Sequence, residues 1–69
     1  MREIKHKPYY CIPAYQILSK KTDEDMANIL GITVRTYKDK IAGYSDFSFE
    51  QGRILSAVFR RTQEEIFLT

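Results

Sequence analysis

The sequence has a single cysteine, Cys11, and therefore no internal disulfide. Small secreted domains lean on two or more bridges, so the expected compartment is the reducing cytoplasm. No apolar run approaches the ~20 residues that cross a bilayer, and the opening Met-Arg-Glu-Ile-Lys-His-Lys does not read as a secretory signal. No membrane association is expected. Gly-rich phosphate loops and nucleophile elbows are missing. His6 is the only histidine, with no Cys, Asp or Glu at ligand spacing, so neither a metal nor another cofactor is expected. Cys11 has no activating neighbour and reads as a small buried thiol.

The chain is also short. At 69 residues it accommodates one domain, and such a domain buries only about 60% of its unfolded surface. Enclosing a substrate pocket would draw on residues the core needs, which favours a binding module over an enzyme. With 43% hydrophobic and 29% charged residues the composition is that of a globular chain, not a disordered one.

The net charge of +2 is unevenly spread. From Pro13 onward eight basic side chains meet eight acidic ones. The excess lies in residues 1–12, where Arg2, Lys5 and Lys7 face only Glu3. A second basic spot comprises Arg35, Lys38 and Lys40, opposed by Asp39. A neutral body with two basic spots suits contact with a polyanion at defined places.

Residues 1–12 show no helical period and read as a basic, extended arm, leaving 13–69 as the folded domain. Pro13 suits the first position of a helix, because its fixed φ fits and its missing N–H costs nothing there. That helix is expected over 13–20, with Ala14, Ile17 and Leu18 facing inward. Thr22 is a good N-cap, and Asp23, Glu24 and Asp25 place negative charge at the positive end of a second helix over 23–30. Its apolar stripe is Met26, Ala27 and Leu30, and Gly31 stops it. Thr33 caps a third helix over 33–42, which Gly43 ends. Ser48 with Gln51, and Thr62 with Glu65, are capping boxes that open helices over 49–59 and 63–67. Leu55, Val58 and Phe59 supply the buried face of the fourth, Ile66 and Phe67 that of the fifth. The expected core is Leu18, Met26, Ala27, Leu30, Ile32, Tyr37, Ile41, Leu55 and Val58. Tyr9, Tyr10 and Tyr15 are expected to pack around the first helix.

The informative stretch is TDEDMANILGITVRTYKDKIAG, from Thr22 to Gly43. A helix-turn-helix needs a small residue where its helices cross, and Ala27 meets that need. A residue tolerant of positive φ belongs four positions on, where Gly31 stands. Ile32 pins the corner, while Tyr37 and Ile41 anchor the inner face of the following helix. That arrangement holds the helix proud of the surface, where it can enter a DNA major groove.

From Ala14 to Phe67 the chain resembles the phage repressor/Cro-like helix-turn-helix family, and TYKDKIAG followed by DFSF resembles small prophage-type regulators of Gram-positive bacteria. The resemblance implies an all-α, compact, five-helix lambda-repressor-like domain with the motif at helices two and three. It implies a transcriptional regulator, a phage-type repressor, binding operator DNA as a homodimer. Val34 and Arg35 would face base edges, with Arg35 paired to guanine and Val34 against a thymine methyl. Lys38 and Asp39 would lie on the same outward face one turn on. Thr33, Thr36, Lys38, Tyr44 and Ser45 would reach phosphates, which position the protein without reading sequence. Gly52, inside the fourth helix where such domains usually carry an apolar residue, departs from the pattern, as does the length of the basic arm. A second function fits the same scaffold: a modulator that binds a partner repressor protein instead of DNA.

Overall fold

The computed structural model describes residues 3–68, and over them it is all-helical, with no strand. Five helices follow one another: α1 (Cys11–Leu18), α2 (Asp23–Leu30), α3 (Val34–Ala42), α4 (Phe49–Phe59) and α5 (Gln63–Ile66). Helix α2 packs against both α3 and α4, while α5 packs against both α4 and α1. None of them is long and apolar enough to cross a membrane.

Helices α2 to α5 begin on the hydroxyls the sequence marks. Thr22, Thr33, Ser48 and Thr62 each accept the backbone N–H three residues on, at 3.1–3.2 Å. Three of the four close into boxes, with Asp25, Gln51 and Glu65 accepting the cap residue's own N–H. These bonds satisfy donors that the first helical turn leaves orphaned. The same bonds hold two carboxyls below the usual carboxylate range. For Asp25 the backbone N–H of Thr22 is the main cause, and for Glu65 that of Thr62.

The first helix departs from expectation in both frame and phase. It starts at Cys11, two residues before Pro13, and ends at Leu18. Pro13 still lies within the first turn, where a backbone N–H has no intrahelical partner to lose. Lys20, at φ 56°, then turns the chain toward α2. The side chains that point inward are Ile12 and Gln16, whereas Ile17 and Leu18 are 74% and 75% exposed. Ala14 is exposed too, so the expected inner face is the outer one.

The core is accordingly Ile12, Met26, Ala27, Leu30, Tyr37, Leu55, Phe59 and Ile66. Leu18 does not belong to it, and Ile32, Ile41 and Val58 pack half-buried at its rim. Cys11 is half-buried, not enclosed. The tyrosines also divide. Tyr15 stacks obliquely on Phe59, with ring centroids 5.9 Å apart. Tyr9 joins Phe47 and Phe67 at 6.0 and 5.1 Å. Tyr10 is 70% exposed.

Gly52 explains its own departure from the pattern. A Cβ there would stand 2.9 Å from Gln63 Oε1 and 3.2 Å from the Phe67 ring. The missing side chain lets α4 and α5 close on each other, which offsets the helix-propensity cost of about 1 kcal/mol.

Candidate nucleic-acid interface

Residues 22–45 hold the side chains expected to face a nucleic acid from the helix-turn-helix segment. Helix α2 ends at Gly31, whose φ of 71° lies in the left-handed region. The N–H of Ile32 donates to the Ala27 carbonyl at 3.0 Å and that of Gly31 to Asn28 at 3.2 Å. This pair of bonds fixes the direction in which the chain leaves α2. Ile32 packs half-buried against the core, and Thr33 starts α3 two residues after Gly31.

Helix α3 shows three different sides. Inward lie Tyr37, fully buried, with Val34 and Ile41 packed half-buried against the core. Val34 thus spends part of its side chain on packing. Outward in the first turn lies Arg35, exposed and without an ion pair or hydrogen bond among the described residues. The hydroxyls of Thr33 and Thr36 bond to each other at 2.9 Å beside it.

The lysines of α3 lean to opposite flanks. Lys38 follows Tyr37 by one position, about 100° around the helix. It is exposed and neighbours Arg35, three positions earlier, and its Nζ lies 3.8 Å from Asp23 Oδ2 on α2. Lys40 donates to the Asp46 carbonyl at 2.7 Å and sits 5.8 Å over the Phe47 ring. Asp39 is half-buried, and its carbonyl accepts the N–H groups of Gly43 and Tyr44 at 3.0 Å. Thr33, Arg35 and Thr36 therefore come together, while Lys38 is drawn toward α2.

Tyr44 and Ser45 lie at the far end of α3, half-buried, where the N-terminal residues are laid down. The N–H of Lys5 donates to the Gly43 carbonyl at 2.6 Å and that of Tyr9 to the Ile41 carbonyl at 2.9 Å. His6 Nε2 lies 2.8 Å from the Ser45 carbonyl, and its ring stacks on Tyr9 at 4.2 Å. Tyr9 donates to Asp46 Oδ1 at 2.7 Å, and burial together with that carboxylate pushes its phenol above the ordinary range. Of the basic arm, Lys5 and Lys7 are exposed, and Lys5 pairs with Glu3 at 3.5 Å. Arg2 lies outside the described residues.

Sequence reasoning missed Gln16 and Asp23. Tyr37 donates to Gln16 Oε1 at 2.6 Å, and Gln16 Nε2 donates to Asp23 Oδ1 at 2.8 Å. Burial, reinforced by the Asp23 carboxylate, raises the Tyr37 phenol so that it stays a donor. The bonds tie α1, α2 and α3 into one polar chain ending at Lys38. The signal was a lone glutamine in a helix, CIPAYQIL, that carries no charge. Beside this chain opens a cleft of about 550 Å³, with Tyr10, Pro13, Ile17 and Ile41 on its walls.

Compared with models of known protein families and with curated proteins, the chain matches none. The functional reading accordingly rests on the geometry of its own residues.

Proposed function

We propose that this chain is a sequence-specific DNA-binding regulator of the repressor type, with α2, the Gly31 turn and α3 acting as a helix-turn-helix. The observation that carries the reading is Arg35. It is an exposed guanidinium, without an ion pair among the described residues, on the first turn of a helix whose opposite side is anchored by Tyr37. In helix-turn-helix docking the N-terminal residues of the second helix meet the base edges. A guanidinium there pairs bidentately with guanine O6 and N7. Thr33 and Thr36 flank it with hydroxyls suited to phosphate, and Tyr44 and Ser45 offer contacts at the other end of the helix. Lys5 and Lys7 add charge without sequence preference.

A second reading, capture of a partner repressor protein, has an observation of its own. Asp23, Glu24 and Asp25 crowd the start of α2 next to α3, and Lys38 is paired with the first of them. Phosphates are repelled by such a cluster, whereas a basic partner is attracted. Fluorescence anisotropy with duplexes from upstream of the chain's own gene, with and without a neighbouring repressor, separates the two. The DNA reading expects salt-dependent binding by this chain alone, with preference among duplexes. Binding seen only when the repressor is present favours the second.

A further inference from the structure

The polar chain through Gln16 has a shape that packing alone does not require. Gln16 is 8% exposed and occupies an inward position of α1 that an apolar side chain would fill. Both ends of its amide are committed. Because the buried Tyr37 hydroxyl donates to the amide oxygen, the NH₂ end must face Asp23, and NH₂ only donates. That selects an acceptor, and the one present is a carboxylate. One Asp23 oxygen is thereby fixed, and the other is left 3.8 Å from Lys38 Nζ.

An exposed ion pair is worth little to stability, because solvent screens it and two long side chains must be held in place. Its effect on a polyanion is larger in kind. A phosphate approaching Lys38 meets a carboxylate already held beside the ammonium, and like charges a few ångströms apart are not screened at ordinary salt, where the Debye length is about 8–10 Å. Any phosphate contact by Lys38 must therefore displace Asp23 or tolerate it.

We infer that Asp23 is an affinity-limiting residue of the α2–α3 surface. Oriented by Gln16, its carboxylate occupies Lys38 and competes with backbone phosphate for it. The inference rests on the DNA-binding reading and adds to it a residue that restrains sequence-independent binding, leaving discrimination to Arg35. Gln16 is a positioning residue that acts through Asp23.

The test is anisotropy with the full chain on two unrelated duplexes and on the best upstream duplex, from about 50 to 200 mM salt. Asp23→Asn keeps an oxygen for Gln16 but loses the charge. It should tighten binding to all duplexes roughly threefold or more and steepen the log–log salt slope by about 0.9, one phosphate gained. Glu24→Gln removes the same charge one residue away, from a side chain with no ion pair among the described residues, and should do less than half as much. In a Lys38→Ala background Asp23→Asn should do no more than Glu24→Gln. Asp23→Ser serves in parallel should the asparagine variant fold poorly, as judged by thermal melts. Equal gains from Asp23→Asn and Glu24→Gln would overturn the inference, as would a gain that survives loss of Lys38 undiminished, while leaving the DNA reading intact. No binding by any variant at 50 mM salt would remove the DNA reading and this inference with it.

Discussion

In α2 and α3 the buried positions fall on Met26, Ala27, Leu30 and Tyr37, the residues whose spacing marks them as an inner stripe. In α1 the pattern inverts: Gln16 is buried, while Ile17 and Leu18 stand in solvent. The two regions differ in what fixes their frame. Helices α2 and α3 start on threonine caps and stop on glycines of positive φ, so their registers are set locally. Helix α1 starts at Cys11, its N-cap Tyr10 makes no side-chain cap bond, and it carries no charged residue. Its phase comes from contacts distant in sequence, Ile12 in the core and Gln16 between Tyr37 and Asp23. Periodicity thus reads correctly where local signals agree with it. Where they are silent, a single pair of buried polar bonds decides which stripe faces in.

The sharpest way to break this comparison is to truncate one residue on each side of α1. Ile12→Ala should cost about 2–5 kcal/mol, the range for a fully buried aliphatic side chain. Leu18→Ala should stay within about 0.5 kcal/mol, as surface changes do. Urea denaturation of both variants measures the difference. Equal losses would mean that α1 is turned the other way.

Next in size is the polar chain itself. Tyr37→Phe leaves the Gln16 amide oxygen buried without its donor, which should cost about 1–3 kcal/mol. Helices α2 and α3 should keep their shape, because Thr22, Gly31, Thr33 and Gly43 define them independently. If Tyr37→Phe proves neutral by urea denaturation, Gln16 does not set the phase of α1.

Much of the fold was legible because its punctuation is strong. Asp23–Leu30 and Val34–Ala42 are bracketed by a Thr cap and a closing Gly, and Phe49–Phe59 opens on the Ser48 capping box, signals that act over three or four residues. The expected helix start at Pro13 misled because proline is tolerated throughout the first turn, not only at its first position. The candidate site was legible in part. Arg35 stands exposed on the outer side of α3, as the spacing implied. Lys38 stands exposed beside it, but its ammonium is drawn to Asp23, fifteen residues earlier. Local spacing carries no information about such a partner.

The smallest expected effect is on acid stability, and it concerns the locally framed helices. Asp25 and Glu65 have carboxyls lowered by the cap bonds of Thr22 and Thr62, so the folded chain binds these protons less readily than the unfolded one. Their contribution is present above the unfolded carboxylate range, near pH 4, and is lost as pH falls through the lower folded values. Thermal melts from pH 6 to 2.5 should show the melting temperature declining on acidification, with a shallower decline in Asp25→Ala. An identical decline would place the acid sensitivity elsewhere.

The central claim is that α3 reads DNA through the exposed guanidinium of Arg35. It is tested most directly by competing Arg35→Ala and the parent chain against a panel of single-base variants of the best-bound duplex. The account predicts that the parent loses about 1–3 kcal/mol on substitution of one guanine per half-site. Arg35→Ala should be indifferent at that position alone, with the two positions about 34 Å apart for a symmetric dimer. If Arg35→Ala keeps the parent's full preference at every position, or if the parent shows no preference to lose, the claim is contradicted.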